Sequence, residues 1–83
     1  MTTNANGAVA DHVLTALRTA LGDAELEPDD DFFAEGGDSV AAVHALQLIG
    51  ETTGVTVPIA VFFTHPSASQ LTEIVAGGSG TAA

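Results

Sequence analysis

The sequence Phe-Phe-Ala-Glu-Gly-Gly-Asp-Ser-Val at positions 32–40 joins an acidic connecting segment to a predicted amphipathic helix. Two glycines and an aspartate precede Ser39, and apolar residues then recur with helical period, which predicts a helix over residues 39–53 that ends before Gly54. Either Asp38 or Ser39 can cap this helix. A hydroxyl at such a junction is exposed and held by a rigid element, so Ser39 is the candidate reactive residue.

Three further helices are predicted around this one. Residues 8–21 carry an apolar residue at every fourth position and end before Gly22. Ser67 and Gln70 form a capping-box pattern, which predicts a helix from Ser67 to residue 76. Residues 55–63 have the composition of a strand, but Pro58 and the lack of a partner strand favour an extended segment followed by a short helix to Phe63. The elements predict an all-α domain.

Length and composition predict a single domain with two tails. Eighty-three residues allow one domain at most. Residues 1–7 and 77–83 are small, polar and glycine-rich, and we expect both to be disordered. The folded domain is predicted to span residues 8–76, with a long irregular connection at residues 22–38 that Phe32 and Phe33 pin to the core.

The charge of the chain is strongly one-sided. Eleven acidic residues face one arginine and no lysine, which gives a net charge of −10, and eight of the acids lie between Asp23 and Asp38. This charge repels phosphate backbones and anionic lipids, so we expect no nucleic-acid partner and no membrane partner. A basic protein would be attracted, although acidity also serves simply to keep a domain in solution.

Other features of the sequence limit the compartment and the chemistry. The chain has no cysteine, which excludes disulfides and thiolate metal sites. Its N-terminus lacks the basic and apolar regions of a signal peptide, and no stretch approaches the length of a membrane span, so we expect a cytoplasmic protein. Asp29 and Asp31 begin like a calcium-binding loop, but Val40 stands where that loop needs a glutamate, and we expect no metal site.

The sequence features described so far allow three interpretations of Ser39. It could be a structural helix cap, a catalytic nucleophile or a residue modified by another enzyme. A hydrolase needs a base beside the serine, but His44 is five residues away on another side of the helix, and Ala41 interrupts the Gly-x-Ser-x-Gly pattern. Modification by another enzyme needs only exposure and fits best, and we expect no enzyme activity of the chain itself.

Residues 32–40 resemble the phosphopantetheine attachment site of carrier proteins, particularly the peptidyl carrier (thiolation) domains of nonribosomal peptide synthesis. The similarity continues through Gly54-Val-Thr-Val-Pro and His65-Pro-Ser and covers residues 9–76. The Gly-Gly-Asp-Ser form resembles peptidyl carriers more than fatty-acid acyl carriers.

The resemblance implies a four-helix bundle like that of acyl carrier proteins, with a short third helix. It implies that a phosphopantetheinyl transferase joins Ser39 to 4′-phosphopantetheine from coenzyme A, whose thiol then carries an aminoacyl or acyl group as a thioester. Asp38 would help the transferase to engage, and Gly36 and Gly37 would allow the turn and the close approach of a partner's backbone.

The resemblance also implies the partners of the chain. An adenylation enzyme would load it, and condensation, tailoring or thioesterase enzymes would follow. The face used for docking would include Val40, Val43, His44 and Gln47. Glu35 and Val40 stand where the family often has leucine. The helix predicted over residues 39–53 also carries fewer charged residues than is usual in the family, and these differences affect which partners dock.

Two alternative functions remain open on the sequence, which also carries expectations about oligomeric state and domain context. A polyketide or aryl-type acyl carrier would share the attachment chemistry with a different cargo, and a helical interaction module would carry no cofactor. We expect a monomer. The initial methionine and the short tails favour a free-standing carrier.

Overall fold

The computed structural model describes residues 4–77, which form four α-helices and no strand. Their bounds are Asn4–Leu21 (α1), Ser39–Thr53 (α2), Ile59–Thr64 (α3) and Ala68–Gly77 (α4). The predicted all-α fold, with its short third helix and its long connection between the first two helices, is confirmed. The ambiguous stretch is extended up to Pro58 and helical after it, as predicted.

The observed helix bounds differ from the predicted ones by four residues at the start of α1 and by one residue at the end of α3 and at each end of α4. α1 begins at Asn4, four residues before the predicted start, because backbone hydrogen bonds continue the helix beyond its apolar stripe, whose first member is Val9. The predicted N-terminal tail therefore overlaps the first turn of α1, and Gly77 ends α4. Residues 1–3 and 78–83 lie outside the described part, and the boundaries of the folded domain stay a prediction.

The core lies where α1 packs against both α2 and α4, with α3 against α2. The largest fully buried side chains come from all four helices and from the connection: Phe32, Phe62, Leu17, Leu26, Ile49, Leu71 and Val13. Each such side chain contributes about 1.5–3 kcal/mol of burial free energy. Within residues 4–77, the helices are too short or too polar to cross a membrane.

The connection at residues 22–38 is fastened to the helices at several points. Leu26 and Phe32 are buried, and Arg18 Nε donates a hydrogen bond of 2.8 Å to the Leu26 carbonyl oxygen. The Phe32 N–H donates to the Pro66 carbonyl oxygen at 2.9 Å. The connection is therefore held at both ends of its acidic part, and this fixes where α2 begins.

Candidate functional site

The first turn of α2 carries the candidate reactive serine. Asp38 is the N-cap: its backbone is extended and its Oδ1 accepts a hydrogen bond of 2.9 Å from the Ala41 N–H. Ser39 is the first residue of the helix and its side chain is exposed. Of the two caps that the sequence allowed, the structure selects Asp38, so the Ser39 hydroxyl is not used to begin the helix.

Two glycines shape the turn that leads into Ser39. Gly36 has a φ of +111°, a backbone conformation that side chains with a Cβ rarely adopt. A Cβ on Gly37 would collide with the Phe32 ring and would lie 2.8 Å from the Phe32 carbonyl oxygen. The close approach at Gly37 is thus made by Phe32 of the same chain, and an approach by a partner's backbone stays a prediction.

Four aromatic rings connect this turn to α3. Phe33 makes an edge contact with Phe32 at 5.4 Å between ring centroids and stacks on Phe63 at 5.0 Å with an angle of 29°. Phe62 lies 5.1 Å from both Phe32 and Phe33. Phe32 and Phe33 therefore anchor the connection, as predicted, and α3 supplies their partners. Phe63 remains half exposed beside them.

A surface groove of about 400 Å³, here called the serine groove, runs from Ser39 along the outer side of α2. It is lined by Ser39, Val40, Val43, His44 and Gln47. Val40 is 78% exposed and Val43 is 46% exposed, so two aliphatic side chains of α2 face solvent close to Ser39. The structure thus brings the four predicted docking residues together with Ser39 on one face.

Most of the aspartates near the site hold the turns of the connection. Asp31 Oδ1 accepts hydrogen bonds from the Phe33 and Ala34 N–H groups at 2.9 and 3.1 Å. Asp29 Oδ1 accepts one of 2.8 Å from Ser69 Oγ. In the part of the chain that the structure describes, no three potential ligands cluster as they would around a metal ion.

The residues at Ser39 fit a phosphorylated arm. The hydroxyl is exposed at a helix N-terminus, where backbone N–H groups and the helix dipole favour negative charge. The serine groove beside it is lined by apolar and polar side chains without a carboxylate, lysine or arginine, which suit an arm of methyl and amide groups. Arg18, the one arginine of a sequence without lysine, donates a hydrogen bond to the Leu26 carbonyl oxygen, so the favourable electrostatic contribution at Ser39 comes from the N–H groups at the start of α2.

A second and larger groove was not predicted from the sequence. It measures about 660 Å³ and lies between α2 and the segment before α3, lined by Val43, Leu46, Gln47, Gly50, Glu51, Thr56, Val57 and Ile59. We call it the helix 2–3 groove. The sequence indicates only that Glu51 faces solvent, because it does not show that residues 55–59 fold back along α2. The sequence carried no clear signal for this groove, because Gly50 predicts only a weaker helix at this position.

Comparisons with known proteins agree with this geometry. The family model for the phosphopantetheine attachment site matches residues 11–75. Bacitracin synthase 1 of Bacillus licheniformis is 33% identical over 67 residues, which is 81% of this chain and 1% of that protein. A linear gramicidin synthase of Brevibacillus parabrevis is 42% identical over 48 residues, which is 58% of this chain and 1% of that protein.

A third relative is CymA of Salinispora arenicola, a probable nonribosomal peptide synthetase. It is 38% identical over 61 residues, which is 74% of this chain and 1% of that protein. The chain therefore spans about one hundredth of the length of the curated relatives that it matches, and no solved structure matches it. Because the family model covers most of the sequence and Ser39 lies inside the matched range, the chain belongs to the phosphopantetheine attachment site family, whose members carry covalently attached 4′-phosphopantetheine.

Proposed function

We propose that this chain is a peptidyl carrier that holds an aminoacyl or acyl group on a 4′-phosphopantetheine arm joined to Ser39. One observation carries the proposal: the Ser39 hydroxyl is exposed at the start of α2 while Asp38 does the capping. A serine that served only as the helix cap would accept a hydrogen bond from a backbone N–H with its hydroxyl oxygen. The names of the relatives, two peptide synthases and a probable nonribosomal peptide synthetase, favour peptide synthesis over polyketide synthesis.

Ser39 acts as the acceptor in the attachment step. Its Oγ forms the new bond to phosphorus, the phosphoanhydride bond to the nucleotide part of coenzyme A breaks, and the hydroxyl proton passes to a base of the transferase. The nearest histidine in the helix, His44, follows five residues later on another side of α2, so the chain offers no base of its own along this helix. When bound, the group supplies a terminal thiol on which an acyl group is carried as a thioester.

The remaining residues of the site position the serine and meet partner enzymes. Asp38 fixes the first turn of α2, and the packed turn at Gly36 and Gly37 holds Ser39 at the surface. Exposed Val40 and Val43, with His44 and Gln47, offer a docking face to a transferase and an adenylation enzyme. The condensation, tailoring or thioesterase enzymes that follow would use the same face. Such a small face favours fast exchange between partners.

This carrier is proposed to be a non-catalytic, monomeric, cytoplasmic protein. Its partners would do the chemistry, and the arm would raise the effective concentration of the cargo at each active site. The acidic connection, with Glu25, Glu27 and Glu35 exposed, would favour partners with basic surfaces around their entrances.

Intact-protein mass spectrometry tests the proposal most directly. After incubation with coenzyme A, Mg²⁺ and a broad-specificity phosphopantetheinyl transferase, we expect a mass gain of one phosphopantetheinyl group. Ser39→Ala should abolish the gain and keep the helical circular dichroism, because Asp38 and not Ser39 caps α2. Ser69→Ala, which changes an α4 serine, should still take the group.

Two results would contradict the proposal. One is no mass gain on the unaltered chain, which would leave a helical module without a cofactor. The other is an undiminished gain on Ser39→Ala. The modified chain is then offered aminoacyl donors and, separately, acyl-coenzyme A donors. Loading by the aminoacyl donors indicates a peptidyl carrier, whereas loading by the acyl-coenzyme A donors indicates a polyketide or aryl-type carrier.

A further inference from the structure

The serine groove and the helix 2–3 groove form one continuous surface along α2. They share Val43 and Gln47, so the path that starts at Ser39 passes these two residues and reaches Glu51 and Ile59. This surface matters for a cargo only if Ser39 carries an arm, so the inference rests on the proposed function.

The charges along this surface are distributed unevenly. Among the residues that line the two grooves, Glu51 is the one acidic residue, and neither lysine nor arginine is among them. Glu51 is exposed in the fourth turn of α2. A carboxylated cargo would find no lysine or arginine here, whereas a cargo with an ammonium group would find the carboxylate of Glu51.

The walls of the helix 2–3 groove are apolar around this one charge. Val43, Leu46, Val57 and Ile59 contribute aliphatic side chains, and Gln47 and Thr56 add uncharged polar groups. An α-amino acid with an aliphatic side chain matches this combination, since its side chain would contact the walls while its ammonium group faced Glu51.

The distance along α2 agrees with the reach of the arm. Ser39 and Glu51 are twelve residues apart in one helix, which corresponds to about 18 Å of rise. An extended chain advances about 3.3–3.6 Å for every three backbone bonds. The roughly 16 bonds from the phosphorus of the arm to the nitrogen of an attached amino acid therefore span about 18 Å at that advance.

We propose that the helix 2–3 groove receives the aminoacyl group carried on Ser39 and that Glu51 binds its free α-ammonium group. The cargo class is an aliphatic L-amino acid with an unmodified amine, and N-acylated cargo is not held. Peptide-bond formation on the amine would convert it to an uncharged amide while the thioester to the arm stays intact, so the lengthened cargo would lose its contact with Glu51 and remain attached to Ser39.

Nuclear magnetic resonance of the loaded chain tests this inference without any partner enzyme. In the first sample, the transferase attaches to Ser39 a phosphopantetheine arm that carries leucine through an amide bond in place of the thioester. In the second sample, the arm carries N-acetyl-leucine. We expect shifts of the Gln47, Glu51 and Thr56 backbone amides, and contacts between leucyl protons and the Ile59 methyl groups, in the first sample only. The shifts should shrink between 0.05 and 0.5 M NaCl, because salt screens an exposed ion pair.

Two matched variants separate Glu51 from acidity in general. Glu51→Gln keeps the size of the side chain and should lower the bound population of leucyl cargo about two- to fivefold, the range expected for an exposed ion pair. Glu73→Gln removes an exposed carboxylate on α4, outside both grooves, and should leave the shifts unchanged.

The outcomes are distinguishable. If the arm cannot be attached to Ser39, the proposed function fails and the inference fails with it. If the arm attaches but leucyl and N-acetyl-leucyl samples give the same shifts, or Glu51→Gln matches the unaltered chain, the carrier function stands and the role of Glu51 is overturned.

Discussion

At the scale of single residues, each residue of the turn before Ser39 has a different structural role. Gly36 supplies a left-handed backbone, and Gly37 leaves room for the Phe32 ring. Asp38 caps α2, so the hydroxyl of Ser39 is left exposed. Ser39, the proposed attachment residue, therefore has a side chain that is exposed and is not the cap of α2.

A comparison of two glycines tests this packing. Gly37→Ala should lower the free energy of unfolding by about 1–3 kcal/mol, because the added methyl group would overlap the Phe32 ring. Gly50→Ala should instead raise it by about 0.5–1 kcal/mol, because the new Cβ lies in a helix interior, 3.7 Å from its nearest neighbour, the Val55 carbonyl oxygen. Urea denaturation of both variants measures the two signs. Equal effects would show that Gly37 is not tightly packed.

At the scale of elements, α2 is defined at both ends by local chemistry. Asp38 caps its start, and the Gly54 N–H donates a hydrogen bond of 2.9 Å to the Gly50 carbonyl oxygen at its end. Between these ends, Ala42, Ala45 and Ile49 are buried while Val40, His44 and Gln47 of the other side are exposed. One helix thus serves as both core wall and proposed docking face.

The cap of α2 can be tested apart from any contact with a transferase. Asp38→Ala should cost about 1 kcal/mol of unfolding free energy, since the Ala41 N–H loses its partner. Asp38→Asn should stay close to the unaltered chain, because asparagine caps about as well as aspartate. Thermal unfolding gives both values. The rate at which Asp38→Asn accepts the arm then measures what the charge contributes to the transferase.

If Asp38→Asn unfolds as readily as Asp38→Ala, then capping by the side-chain oxygen is not what stabilises this helix. If Asp38→Asn is stable but accepts the arm as fast as the unaltered chain, the charge of Asp38 has no part in engaging the transferase.

At the scale of the whole molecule, the dominant feature is the net charge of −10. Seven acids of the connection lie between Asp23 and Glu35, and many of these side chains are exposed. The hydrogen bonds of Asp29 and Asp31 offset part of the repulsion within this segment. The rest should destabilise the folded chain at low ionic strength.

Salt should therefore stabilise the protein. Raising NaCl from 0.01 to 0.5 M should increase the melting temperature by several degrees, because the screening length falls from about 30 Å to less than 10 Å. Glucose at matched osmolality is the control for effects that do not depend on charge. A melting temperature that does not change, or that falls, with NaCl would show that the acids are already compensated within the fold.

Local sequence signals were enough to predict most of the elements. Apolar periodicity and the flanking Asp38 and Gly54 predicted α2 with its observed ends, because capping and helical period are short-range effects. Pro58 predicted the extended entry into α3 for the same reason. The start of α1 was predicted late, since its first turn carries no apolar stripe.

The sequence by itself determined the all-α fold, the position of Ser39 at the start of α2 and the family resemblance, because each depends on residues close together in the chain. Only the tertiary structure decided that Asp38 is the cap in use, that Phe32 packs on Gly37, that Phe33 stacks on Phe63, and that residues 55–59 close a groove beside Glu51. These contacts join residues of different elements or depend on the side-chain geometry of the folded turn, and no local pattern specifies them. Their physical origin is the packing of the connection and α3 against α2, which buries Phe32 and Phe62 in one core.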